Sequence, residues 1–293
     1  MPILQVILLA IVQGLAELLP VSSSAHVVVA EKLMGLDPTT PEMTLLLVML
    51  HTGTMFAVIV FFWKQWKSAY FASADAFKSF AVKVIAATAL TGIIGYPLKK
   101  IIEKIAFPGA PKAEIEELFG RLDIIAPALF AAGLLILIAG LREKKQAEGS
   151  DPGDAILTTP QALWMGAIQG ICLPFRGFSR SGATISTGML AGAIKEKAER
   201  FSFALAVVLT PPVVFVEAHR LLKATKEAAL AGAPIDLHAT LLTSLLGAVF
   251  AFLAGLVALK WLSSWLESGR WYLFGIYCIL ASGVVFFLHT KGF

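Results

Sequence analysis

The sequence predicts an all-α polytopic membrane protein, with six transmembrane helices plus two re-entrant helical hairpins in an inverted-topology repeat. Three observations carry that expectation. Of the 293 residues, 57% are hydrophobic and 15% charged, and the mean hydropathy of +0.79 lies outside the range of soluble domains. Six apolar stretches are long enough to cross a hydrocarbon core of about 30 Å as helices. Two short stretches, Gln13 to His26 and Gln169 to Gly182, look like copies: an offset of 156 positions lays Gln13 on Gln169, Gly14 on Gly170 and Ser23 on Ser179.

In chain order, the apolar stretch 2–19 is broken at Pro20 and resumes as a short helix over 24–36. Neither half spans alone, and a short helix with a polar tip cannot face lipid, so the pair is expected to form a hairpin buried in the bundle. Three spans follow, at 43–63, 81–98 and 123–141. The plan then restarts with a second hairpin, 161–173 and 182–194, and three more spans at 200–222, 238–262 and 271–289. The chain 1–293 is therefore expected to be one membrane domain of two repeats, 1–145 with its hairpin over 2–36 and 155–293 with its hairpin over 161–194. An odd number of crossings separates the hairpins, so the second enters from the opposite face and the tips meet near mid-membrane.

The net charge of +4 and pI near 9.0 point to a membrane surface rather than to nucleic acid, because the basic residues lie in loops and not along one face. One side collects Lys64, Lys67, Lys78, Arg142, Lys144, Lys145, Lys195, Lys197, Arg200 and Arg270. The other mixes Lys99, Lys100, Lys104, Lys112 and Arg121 with glutamates. The positive-inside rule makes the first side cytoplasmic and the N-terminus external. Cys172 and Cys278 make neither a disulfide framework nor a zinc ligand set, and are expected to be buried apolar side chains. Trp63, Trp66 and Trp271 are expected as interfacial anchors, Glu114, Glu116 and Glu117 as a solvated loop face, and Glu217, His219 and Arg220 at a span's end.

The copied stretches hold the unusual chemistry. Gln13 and Glu17 are four residues apart and share a helix face. An acid within a buried segment is costly unless paired, protonated or needed, which marks Glu17 as functional or as a strut for the hairpin tip. After Pro20, Ser22, Ser23 and Ser24 supply capping hydroxyls, and His26 follows Ser23 by three residues. Hydroxyl and imidazole together can serve nucleophilic attack, or simply cap and pack. The second copy offers Ser179, Arg180, Ser181, Gly182 and Thr184. A guanidinium and hydroxyls at a helix N-terminus form a phosphate site. Arg176, in the same tip, is expected either to touch the anion or to reach toward the headgroups. His51, in mid-span, is read as lining a cavity or as making an interhelical hydrogen bond.

The stretch Gln13 to His26 fits a Glu-or-Gln-xxx-Glu segment running into Pro-Val-Ser-Ser-x-x-His, and Gly177 to Thr184 fits Gly-x-Ser-Arg-Ser-Gly-Ala-Thr. On these motifs, over essentially its whole length, the chain resembles the undecaprenyl-diphosphate phosphatase family, also called bacitracin-resistance proteins. One departure stands at Arg176, where the family motif has Pro. The resemblance implies a catalytic centre of Glu17, Ser23, His26 and Arg180, with Gln13, Ser22, Ser179 and Ser181 supporting it against the substrate; Arg176, Gly182 and Thr184, on the reading of the tip itself, join the expected substrate-binding residues. It implies a long-chain isoprenoid diphosphate as the lipid substrate and a divalent cation, Mg²⁺ or Ca²⁺, at Glu17. It also implies a multi-pass protein of the bacterial cytoplasmic (inner) membrane with a site open to its outer face. Serine and histidine both stand as the nucleophile. A homodimer is a candidate assembly, and a transporter of polyprenyl phosphate is the rival function, since broken helices in inverted repeats also build transporters.

Overall fold

The computed structural model describes residues 1–110, 114–146, 157–230, 235–266 and 270–293, with side chains at 144–146 and 261–266 left aside. Lys112 and most of the expected junction between repeats, 147–156, lie outside the described residues. The described residues form helices and no strands.

The first hairpin is α1 (Ile3–Leu18) and α2 (Ser23–Leu33). Proline ends α1: the residue before a proline is driven to extended backbone, and Leu19 has φ −89° and ψ 148°. Ser22 then turns the chain with a left-handed φ of 66° and its hydroxyl accepts from the Ala25 amide. A non-glycine residue there is strained, and among the described residues Ser22 is the only one. Three long helices follow, α3 (Pro41–Tyr70), α4 (Ala74–Ala106) and α5 (Leu122–Gln146), with a 3-10 turn at Ile115–Leu118 between the last two.

The second hairpin repeats the plan as α6 (Thr159–Cys172) and α7 (Arg180–Leu190), followed by α8 (Lys195–Leu230), α9 (Leu237–Leu266) and α10 (Trp271–Thr290). Ser179 caps α7 by accepting from the Gly182 amide at 3.1 Å. Gly177 holds the tip at φ +100°, where a Cβ would stand 2.5 Å from the Ile125 carbonyl oxygen, so both conformation and space demand glycine. The 11 residues of α2 and of α7 rise only about 16 Å, half a hydrocarbon core.

Six helices, α3, α4, α5, α8, α9 and α10, are long and apolar enough to cross a membrane, as expected from the sequence. Several run past the expected apolar limits, α4 and α8 most of all, because polar residues continue the helix after the apolar run ends. Pro211 and Pro212 sit inside α8 without ending it.

The halves interlock. Helix α1 packs on α9 and α6 packs on α4, while α3 meets α8 and α5 meets α10. The copied glycines sit in these contacts: a Cβ on Gly14 would meet Ala254 of α9 at 2.5 Å, and one on Gly170 would meet the Thr91 carbonyl of α4 at 2.7 Å. This exchange of equivalent partners is what a duplicated plan produces.

Some side chains lie elsewhere than expected. Trp63 is exposed, but Trp66 and Trp271 are buried, Trp271 donating to Ser186 Oγ at 3.0 Å; an indole with a reachable hydroxyl packs inside instead of anchoring an interface. Glu116 is buried, not solvated, and Glu217, expected at a span's end, is buried within α8. Glu116 meets Lys99 at 3.4 Å and Glu114 meets Arg220 at 2.9 Å, so the acidic loop folds onto α4 and α8. Both cysteines are buried, as expected.

Candidate active site

The hairpins place two helix N-termini face to face. Ser23 is the first residue of α2 and Arg180 the first of α7. Gly182 allows the approach, since a Cβ there would stand 2.6 Å from Ile136 Cδ1 and 3.0 Å from the Pro20 carbonyl oxygen.

Glu17, buried at the end of α1, joins the two tips. Its Oε1 accepts from Arg180 Nη2 at 2.6 Å. Its Oε2 accepts from Ser23 Oγ at 2.5 Å and from Gln13 Nε2 at 2.9 Å. The i, i+4 spacing of Gln13 and Glu17 thus makes the bond that a shared helix face permits. The part-buried guanidinium gives the buried carboxylate the partner it needs.

Arg180 keeps one hand free. With Nη2 committed to Glu17, its Nη1 is buried without a hydrogen-bond partner. An unmet buried guanidinium N–H is expensive, and it points to an anion as the missing partner. Ser23 lies beside the same carboxylate.

The structure also brings in His51 from α3. Its Nε2 stands 3.3 Å from Glu17 Oε2 and 3.4 Å from Ser23 Oγ. The signal for it in the sequence was an ionisable residue in mid-span; its partners are 28 and more residues away along the chain.

The other expected site residues take different places. His26 lies with Nδ1 2.8 Å from the Ser22 carbonyl oxygen and accepts at Nε2 from the Tyr277 hydroxyl at 2.6 Å. Among the described residues, no hydrogen bond joins it to Ser23 or Glu17. Ser22 and Ser179 cap their helices, and Gly182 gives its amide to Ser179. The Thr184 hydroxyl donates to the Arg180 carbonyl oxygen at 2.8 Å and meets Ser202 Oγ at 2.6 Å. Ser181 follows Arg180 and is buried. Arg176 leaves the tip altogether: its guanidinium lies 3.9 Å over the Phe119 ring, in the field of Glu31, Glu217 and Glu116. The ring face is the contact that holds the cation there.

The copies have diverged around a common frame. Gln169 is buried like Gln13, but it donates to Thr91 Oγ1 at 3.1 Å. Where the first copy has Glu17, the same offset puts Leu173. The acid is supplied by one copy and the base cation by the other.

For a divalent cation the residues present fall short. Both oxygens of Glu17 already accept from protein donors, and the free hard oxygen beside it is Gln13 Oε1. Among the described residues, no group of three His, Cys, Asp or Glu is placed to hold a metal ion. Calcium takes six to eight oxygens and magnesium a near-ideal octahedron, so this donor set does not fit a resident cation.

The model of the family described as "Bacitracin resistance protein BacA" matches residues 6–284. The chain is similar to undecaprenyl-diphosphatase 2 of Acinetobacter baylyi, with 56% identity over 285 residues and 97% of each chain covered. Undecaprenyl-diphosphatase 2 of Burkholderia ambifaria is 32% identical, covering 96% of this chain and 94% of its own. Undecaprenyl-diphosphatase of Korarchaeum cryptofilum is 30% identical, covering 96% and 97%. Matched along nearly its full length by that model and by these relatives, the chain is a multi-pass membrane protein that belongs to the bacitracin-resistance, or undecaprenyl-diphosphate phosphatase, family.

Proposed function

We infer that the chain hydrolyses undecaprenyl diphosphate to undecaprenyl phosphate and inorganic phosphate, recycling the carrier lipid for peptidoglycan synthesis and so conferring bacitracin resistance. The observation that carries this reading is the unpartnered, buried Nη1 of Arg180 at the N-terminus of α7, whose Nη2 shares the Glu17 carboxylate with Ser23. A guanidinium at a helix N-terminus suits a terminal phosphoryl group, whose charge spreads over oxygens in the transition state.

The long isoprenoid tail lies among the helices in lipid while the diphosphate reaches the two tips. Arg180 spans Glu17 and a phosphoryl oxygen, and the dipoles of α2 and α7 add to the positive field. Ser23 attacks the terminal phosphorus in line, and the departing group is the lipid monophosphate. Water then releases phosphate from Ser23. Glu17 holds the serine hydroxyl and the guanidinium in one geometry. The reading places the chain in the bacterial cytoplasmic membrane with the site open to the outer face, which the excess of Lys and Arg on the opposite side supports. Glu17, Ser23 and Arg180 belong to one chain, so the reading holds for a monomer and a homodimer alike.

The test is phosphate release from undecaprenyl diphosphate by purified protein in detergent, where no gradient can exist. Acid-stable phosphate trapped on Ser23 is the expected intermediate. Acid-labile phosphate on His26 overturns the serine assignment, and the absence of any phosphate release leaves a lipid transporter.

A further inference from the structure

Serine needs somewhere to send its proton, and three groups compete for it. Glu17 Oε2 is nearest, at 2.5 Å, but its carboxylate already answers the Arg180 guanidinium and the Gln13 amide. Such a carboxylate is a poor base, because the donors stabilise its charged form. His26 is committed elsewhere, with its Nε2 accepting from Tyr277.

His51 is free to act. Its Nδ1 lies 2.8 Å from the Leu47 carbonyl oxygen. A carbonyl can only accept, so the proton of the neutral ring sits on Nδ1 and the lone pair is on Nε2. That lone pair faces Ser23 Oγ at 3.4 Å. The side chain of His51 is 29% exposed against 4% for Glu17, so the imidazole is the more accessible of the two.

We propose that His51 is a catalytic residue of this enzyme, the group that receives the Ser23 proton and later activates water. The proposal rests on the serine reading above. In the first step the Oγ–P bond forms as the bridging P–O bond breaks, and that bond's electron pair leaves on the lipid monophosphate. The serine proton moves to His51 Nε2, and the imidazolium so formed stands 3.3 Å from Glu17 Oε2, which stabilises it. The imidazolium then gives its proton to the departing monophosphate. Neutral again, it removes a proton from the attacking water while the P–Oγ bond breaks toward Oγ, and it returns that proton to serine. Water is the only co-reactant.

The experiment compares His51→Gln, His51→Ala and Ser23→Ala in the purified full-length protein, with steady-state release of phosphate from undecaprenyl diphosphate. Loss of a general base typically costs about 10²–10⁴-fold in rate. His51→Gln is therefore expected to lose about that factor in kcat with KM little changed, and added imidazole is expected to restore part of the rate of His51→Ala. A purely structural histidine would not give that rescue. If His51→Gln keeps the wild-type kcat while Ser23→Ala is inactive, the role of His51 is overturned and the serine reading stands. If Ser23→Ala remains active, the serine reading fails and this proposal with it.

Discussion

Replacing Arg180 by Lys keeps the charge and removes the fork. Arg180 spends Nη2 on Glu17 at 2.6 Å and holds Nη1 buried without a partner. A lysine ammonium is a point charge on a flexible stem and cannot hold carboxylate and phosphoryl oxygen in one plane. One charge-assisted hydrogen bond is therefore lost in the transition state, about 1.5–3 kcal/mol. At about 1.4 kcal/mol per decade of rate, kcat/KM for undecaprenyl diphosphate should fall roughly 10- to 100-fold, measured as phosphate release in detergent. The midpoint of thermal inactivation should change little, because Glu17 keeps a cation beside it. Arg180→Ala is the control: stranding the buried Glu17 should cost about 3–5 kcal/mol and lower that midpoint as well. Unchanged kcat/KM in Arg180→Lys would refute the forked clamp.

The remaining expectations concern residues around the centre. Arg176→Gln should destabilise the protein by about 0.5–2 kcal/mol, the worth of a cation stacked over an aromatic ring, with KM unchanged, since its guanidinium lies over Phe119 and not at the tips. A raised KM at unaltered thermal stability would return Arg176 to the substrate. Titration of Mg²⁺ or Ca²⁺ into the substrate-free protein should give no saturable heat of binding, because both oxygens of Glu17 are already engaged. Saturable binding that Glu17→Gln abolishes would show a resident site, whereas cation dependence that appears only with the diphosphate matches a metal carried in by the substrate's own oxygens.

Much of the architecture was legible because it is encoded locally. Apolar run length separated the six long helices from the two broken pairs, and Pro20 with the serines after it marked where the first tip turns. Helix spacing placed Gln13 on Glu17, and that bond is present. The tryptophans and the acidic loop were less legible. Trp271 resembles a belt residue until Ser186, 85 positions away, offers it a hydroxyl. Glu114 and Glu116 look solvated until α4 and α8 bring Lys99 and Arg220 to them.

Sequence by itself determined that this is a helical membrane protein with two similar interrupted helices that gather most of its unusual polar residues, since hydropathy, chain breaks and capping depend on residues a few positions apart. Tertiary structure alone decided which of those residues meet. Arg180 reaches Glu17 across 163 positions, and His51 takes the place beside Ser23 that the nearer His26 does not occupy. Neighbours three residues apart on a short helix share a face only loosely, whereas the packing of α3 against the first hairpin fixes an imidazole from a distant part of the chain against the serine. The two copied stretches supply the frame, and their packing against one another makes a single site from two halves.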